Sequence, residues 1–208
     1  AAGVQPQTTY GYTTYTASGY PTFYLRTSQS SKITASSTVV TTTTYNAANK
    51  YVPQTVVVDA GTGTLNLTTA FTYDAVGNLT QVNGPRTDVT DTTTNVFDAQ
   101  RRVTQTTDAL GKQTQFGFDA DGRVIRTAAQ LGTQWLVACS TYTATGKRLK
   151  AWGPALTAAA TTCPTAAAPV AVTDYAYDDL DRLIRVTENL PAGEGGNRVT
   201  ETVYNADG

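Results

Sequence analysis

Seven residues recur along this chain: an aromatic, usually Asp, two variable residues, usually Gly, a basic or amide residue, and an aliphatic. The fullest copy is Phe118-Asp119-Ala120-Asp121-Gly122-Arg123-Val124, and related copies start at Tyr45, Tyr73, Phe97, Tyr142 and Tyr177. A shortened one, Tyr204-Asn205-Ala206-Asp207-Gly208, ends the sequence. The first residues of successive copies lie 28, 24, 21, 24, 35 and 27 positions apart. A period of this size marks an array in which each unit is one supersecondary element that cannot bury its apolar face alone.

The phrase reads as hairpin chemistry. Asp at the start and Gly at the fourth place of Asp119-Ala120-Asp121-Gly122 is a type I turn signature. In a three-residue hairpin loop the last residue takes a left-handed conformation and makes a bulge. The fifth position of the phrase therefore has to accept positive φ, and it holds Asn49, Gly77, Arg101, Gly122, Gly146, Asp181 and Gly208. Gly, Asn and Asp adopt that geometry at least cost, so Arg101 signals strain or a different turn. The same register predicts that Asp119 faces Arg123, Asp98 faces Arg102, Asp178 faces Arg182, Asn46 faces Lys50 and Asp74 faces Asn78. It also places Phe118 opposite Val124, Tyr73 opposite Leu79 and Tyr177 opposite Leu183 on the other face. Exposed charge pairs contribute about 0 to 1 kcal/mol each, so aromatic burial is expected to carry the stability.

A second aromatic precedes the anchor by two residues at Phe71, Phe116 and Tyr175, on the same strand face. Such rings read as repeat core stacking into a ladder; exposed, they would form a carbohydrate platform. Connecting turns fall at Thr106 to Gly111, Asp59-Ala60-Gly61 and Asn83-Gly84-Pro85-Arg86. The expected fold is all-β, a repetitive antiparallel hairpin ribbon. Residues 1–44 are a Thr/Ser/Tyr-rich β segment with degenerate repeats, in which Ser28 to Ser37 reads as a loop between strands at Tyr20 to Arg26 and Thr38 to Tyr45. Residues 45–208 are the repeat array, interrupted by an inserted loop around 150–172 that contains Pro154, Pro164 and Pro169.

Composition agrees with sheet: Thr supplies 42 residues, Tyr 12 and Gly 17, against three Glu and no Met. A net charge of −1 gives no electrostatic reason to expect nucleic acid or an anionic membrane. No apolar run approaches the roughly 18 to 20 residues that span a bilayer. A start at Ala1 and an end inside a repeat read as a piece of a longer polypeptide. Cys139 and Cys163 are not spaced like metal ligands; one bridge between them in an oxidising compartment, or two buried thiols, are both open readings.

Chemistry is sparse. The sequence has no His, which removes the commonest general base and zinc ligand, and it carries neither a phosphate-binding loop nor a dinucleotide fingerprint. Asp178, Asp179 and Asp181 are the densest carboxylates, but they sit inside a turn, where Asp is a structural choice. No catalytic, metal or cofactor site is expected.

Tyr73 to Leu79, Phe118 to Val124 and Tyr177 to Leu183 resemble the tyrosine–aspartate (YD) repeats of the Rhs type, found in bacterial Rhs proteins, in the BC components of insecticidal Tc toxins and in teneurins. The resemblance covers roughly 45 to 208. Its anchors in this chain are Tyr45, Tyr73, Asp74, Gly77, Phe97, Asp98, Phe118, Asp119, Gly122, Arg123, Tyr142, Gly146, Tyr177, Asp178, Arg182 and Tyr204. It implies a β-sheet ribbon that spirals into a hollow shell, of which this chain is a fragment. It further implies a structural, non-catalytic role in a large secreted or surface-exposed protein whose remainder, or an encapsulated toxin domain, is the partner. An adhesive or fibre-forming module that binds glycans or copies of itself is the alternative. The Asp-Pro-containing cleavage motif of bacterial members has no counterpart here, so no protease residue carries over.

Overall fold

The computed structural model describes residues 7–16, 18–19, 21–34, 37–46, 51–167, 170–191 and 195–205. Asn49, Lys50 and Gly208, assigned to turns from the sequence, lie outside them, as does Tyr20. The described residues contain fifteen β-strands and no helix. The chain forms two compact units, one of residues 1–101 with 108–110, the other of 102–107 with 111–208.

The first unit contains β1 (Thr8–Tyr15), β2 (Phe23–Lys32), β3 (Thr38–Asn46), β4 (Val52–Val58), β5 (Leu67–Tyr73), β6 (Leu79–Asn83) and β7 (Thr92–Phe97). Each pairs antiparallel with the next. The second contains β8 (Val103–Thr107), β9 (Gln113–Phe118), β10 (Val124–Leu131), β11 (Gln134–Tyr142), β12 (Arg148–Thr157), β13 (Val172–Tyr177), β14 (Leu183–Asn189) and β15 (Arg198–Glu201), again paired in sequence order. Short turns between β-branched runs favour neighbour pairing of this kind.

The hairpin register matches the sequence reading in four copies: Tyr73 pairs with Leu79, Phe118 with Val124, Tyr142 with Arg148 and Tyr177 with Leu183. The turns are closed as a type I turn requires, by Gly122 N–H to Asp119 C=O at 3.1 Å and Asp119 N–H to Arg123 C=O at 3.0 Å. The fifth position has positive φ at Gly77, Gly122 and Gly146, and also at Arg101 (65°) and Asp181 (59°). Arg101 keeps the same turn, its N–H bonding Asp98 C=O at 3.0 Å, so the strain is accepted and the geometry kept. Each of the four hairpins carries an additional register shift just beyond the first–seventh pair, which leaves Thr80, Ile125, Leu149 and Ile184 as extra residues.

Three expectations are corrected. The Tyr45 copy is wider: Tyr45 pairs with Pro53 and Asn46 with Val52, and Tyr51 N–H closes the loop on Asn46 C=O. Val52-Pro53 carries the β pairing, so the partner of Asn46 is two residues later than Lys50. Ser28 to Ser31 are strand, because both edges of β2 are used there, against Thr8 to Gly11 on one side and Val39 to Thr42 on the other. The inserted stretch begins as strand, since β12 follows the long β11 to Trp135↔Thr157, and residues 158–167, 170 and 171 lie outside the strands.

Burial is thin. In the second unit Ala128, Val137, Cys139 and Ala160 form a small core with Trp135 and Trp152 packed against it. Cys139 and Cys163 are bonded, with Cα atoms 6.0 Å apart, and Trp152 Nε1–H donates to Pro164 C=O at 2.7 Å, so the segment around Cys163 and Pro164 is tied over this face. In the first unit the rings of Tyr15, Phe23, Tyr45 and Tyr51 cluster with centroids 5.1 to 6.1 Å apart.

Candidate functional site: the junction between repeats

The site is built on the second position of the phrase. Asp119 Oδ1 accepts the N–H groups of Asp121 (3.1 Å) and Arg123 (2.8 Å), and its Oδ2 accepts Arg123 Nε–H at 2.6 Å. Asp178 does the same with Leu180, Arg182 and Arg182 Nε. Asp74 does it with Val76, Asn78 and the Asn78 side-chain amide. A carboxylate that accepts three hydrogen bonds is favoured in its charged form. Burial alone would lift the Asp119 carboxyl, but the Arg123 backbone N–H, the Arg123 guanidinium and the Asp121 N–H outweigh it and hold it below its ordinary value. Asp178 is lowered chiefly by the Arg182 backbone N–H, and Asp74 by that of Asn78. Where Thr143 replaces Asp, its hydroxyl takes the Lys147 N–H at 3.0 Å.

The sixth position links copies. Arg123 is bound to Asp119 and to Asp121 (2.7 Å), while its Nη1 donates to Thr143 C=O of the next copy at 3.1 Å. Its Cζ lies 5.1 Å from the centre of the Tyr142 ring, which begins that next copy. Arg102 repeats the arrangement, 4.4 Å over Phe118 and donating to Asp119 C=O at 3.4 Å, and Arg182 lies 4.4 Å over Tyr204. With side chains only 21% and 25% exposed, Asp119 and Arg123 are not the solvated pair expected; the planar guanidinium serves its own turn and the next ring together. In these copies the anchors meet cations, and the ring ladder expected of them is found among Tyr15, Phe23, Tyr45 and Tyr51.

The anchor hydroxyl reaches the other way. Tyr142 Oη–H donates to Val124 C=O at 2.9 Å, Tyr177 to Arg148 C=O at 2.8 Å and Tyr204 to Leu183 C=O at 3.1 Å. In all three the acceptor is the seventh residue of the copy before. The sequence reading missed these bonds, although the choice of Tyr over Phe at three anchors is a signal for them.

Arg101 is explained by the same junction. The copy before it carries Asn78, 8% exposed, at the sixth position, where no guanidinium extends forward. Arg101 reaches back from the fifth position, and its Nε donates to Asn78 Oδ1 at 2.7 Å, which satisfies a buried amide. Asp181, the other side chain at that position, also reaches back, accepting Thr145 Oγ1–H at 3.0 Å. Asp178 and Asp181 are thus both engaged in turn and junction. Among the described residues no group of three or more Cys, Asp or Glu could hold a metal ion, and no helix is long and apolar enough to cross a membrane.

Residues 97–133, two phrases joined by the Arg102–Phe118 contact, match the family model of the RHS Repeat. That segment is an RHS repeat. No curated protein matches the sequence. Among solved structures, the crystal structure of TcdB2-TccC3-TEV aligns with a TM-score of 0.64 at 16% identity, over 97% of this chain and 10% of that one. The Photorhabdus luminescens Tc holotoxin pore aligns at 0.45 and 14%, over 85% of this chain and 11% of that one. At such identity the likeness to the first is one of fold: an all-β, antiparallel Rhs-type sheet. Motif and family model agree on an Rhs/YD repeat over 97–133, and the fold of the chain is like that of the first structure. This chain spans about a tenth of the chains it matches.

Proposed function

We propose that this chain is a non-catalytic length of wall in a large secreted or surface-exposed Rhs/YD-repeat protein, and that the wall encloses or displays a toxin or effector domain. The observation that carries this is the junction. The second, sixth and first positions of the phrase are used to hold one copy to the next, and the carboxylates of Asp74, Asp119 and Asp178 are taken up by their own turns. A thin core supports the same reading, since a wall leaves a sheet face for what it surrounds. The test is made in the parent polypeptide: with Arg123→Ala and Arg182→Ala combined, a domain enclosed by the wall becomes sensitive to added protease under conditions where the unaltered protein protects it. No protection in either protein refutes enclosure, and equal protection in both refutes the part given to the junction in holding the wall closed.

A second reading rests on a separate observation. Tyr10, Tyr12 and Tyr24 are exposed on one face of the β1–β2 ribbon, with Arg26 5.5 Å over Tyr10, while Tyr15 and Phe23 pack on the other. Exposed rings flanked by hydrogen-bonding groups suit a sugar face, and glycan-array binding lost in Tyr12→Ala and Tyr24→Ala would favour an adhesive module.

A further inference from the structure

Two copies depart from the phrase at its seventh position, and the one that starts at Tyr45 keeps an apolar ring there, Tyr51. Leu79, Val103, Val124 and Leu183 are aliphatic there, but the copy that starts at Tyr142 has Arg148. Arg148 pairs with Tyr142 in the register, so the two share a sheet face. The same face carries the cross-strand partners Thr127↔Ala138 and Ser140↔Ala151↔Thr173, in which alanines alternate with hydroxyl residues. Ser140 stands where three other copies place Phe71, Phe116 and Tyr175, and Ala151 where two place Val82 and Val186, and an open cavity of about 330 Å³ lies there, lined by Arg148, Tyr142, Thr127, Ser140, Thr173, Arg126 and apolar residues including Val124. That volume is at the small end of ligand pockets.

The charge of the cavity is one-sided. No Asp or Glu lines it, and among the described residues no carboxylate pairs with Arg148. Arg148 is exposed, and its hydrogen-bond partners are the side chains of Tyr142 and Tyr175, which hold the guanidinium above its ordinary value. A guanidinium offers five N–H donors in a flat fork, and two hydroxyl partners leave part of it unused. Arg126 also borders the cavity, but it belongs to the row Arg126↔Cys139↔Trp152↔Val172 of the opposite face, where its Nη1 donates to Thr161 C=O at 3.3 Å.

We propose that the cavity at Arg148 binds a carboxylate borne on a short apolar stem, either a small organic acid or an acidic side chain of another polypeptide. The two oxygens match the guanidinium fork, Ser140, Thr127 and Thr173 supply further donors, and Val124, Ala138 and Ala151 line the space for the stem.

The test titrates the whole chain with butyrate, with neutral butanamide, and with a short peptide containing one Glu, following amide shifts of Thr127 and Ser140 by NMR. Saturable shifts with butyrate and none with butanamide are expected. Arg148→Leu restores the aliphatic of the other copies and should weaken butyrate at least tenfold with the far-UV CD spectrum unchanged. Should that variant lose its sheet spectrum, Arg148→Lys serves instead, with a smaller loss expected because a point charge replaces the fork. Binding of the peptide as well as butyrate identifies a side-chain ligand; binding of butyrate alone identifies a free acid. Equal binding of butanamide, no saturable shift with any carboxylate, or unchanged affinity in both variants overturns the proposal.

Discussion

Replacing Tyr142 with Phe isolates a single repeat-to-repeat bond. The ring stays, and with it the contact to the Arg123 guanidinium at 5.1 Å; between copies only the hydroxyl bond to Val124 C=O at 2.9 Å is lost, and within its own copy the exposed Arg148 exchanges one hydroxyl partner for water. Val124 is 37% exposed, so water can reach the residue and limit the penalty of an unsatisfied acceptor. The expected cost is therefore that of an ordinary intramolecular hydrogen bond, about 1 kcal/mol within a range of 0.5 to 1.5. In a domain of this size that lowers the thermal midpoint by about 2 to 4 °C. Tyr177→Phe, with a 2.8 Å bond, should cost as much, and Tyr204→Phe, at 3.1 Å, somewhat less. Tyr24→Phe, at a residue 68% exposed, is the control and should cost nothing. Urea unfolding followed by far-UV CD measures all four. Nearest-neighbour coupling holds a repeat array together, so combining the three junction changes should also broaden the transition. If Tyr142→Phe matches Tyr24→Phe to within about 0.3 kcal/mol, the hydroxyl bond does not couple the copies and the junction argument fails.

Three further outcomes are expected. The carboxyls of Asp74, Asp119 and Asp178 are all lowered in the folded chain, so each contributes stability that is complete above the unfolded value near about 3.9 and disappears as pH falls through the lower folded value. Unfolding midpoints should be flat from neutral pH to about 5 and decline below about 4. Asp119→Asn with Asp178→Asn should flatten that decline, and an unchanged acid limb would refute the assignment. Arg101→Gly relieves a positive φ but leaves the Asn78 amide without its partner, for a net loss on the order of 1 kcal/mol. Adding Asn78→Arg, which rebuilds the usual sixth and fifth positions, should recover it in the same urea assay. Finally, Cys139→Ala with Cys163→Ala opens a closure of 24 residues and should cost about 3 kcal/mol, read as a lower thermal midpoint that dithiothreitol reproduces in the unaltered chain.

The hairpins were legible because their determinants are local. Asp119, Gly122 and Arg123 lie within five residues, and offsets alone place Phe118 against Val124. The serines of β2 were not, since Ser favours turns by its own propensity, and only the strands on either side hold Ser28 to Ser31 extended. The junction was hidden for another reason. Arg123 and Thr143 are 20 residues apart and Tyr177 and Arg148 are 29 apart, so one phrase read by itself contains half of each contact. Arg101 shows the difficulty: its side chain looks misplaced until Asn78, one copy earlier, is seen to lack a forward reach. The same holds for the carboxylate cavity, where Arg148 is an anomaly only against the aliphatics of the other copies.

The sense of the anchor hydroxyl bonds bears on biosynthesis. Tyr142, Tyr177 and Tyr204 each donate to a carbonyl that precedes them by 18 to 29 residues, and never need a residue still to be made. During translation, each new tyrosine emerges from the ribosome after its acceptor hairpin is complete. The growing end can therefore close copy by copy onto a finished template. Loops of this length are inexpensive to shut, and a chain that folds in step with its own synthesis exposes one unpaired strand edge at a time.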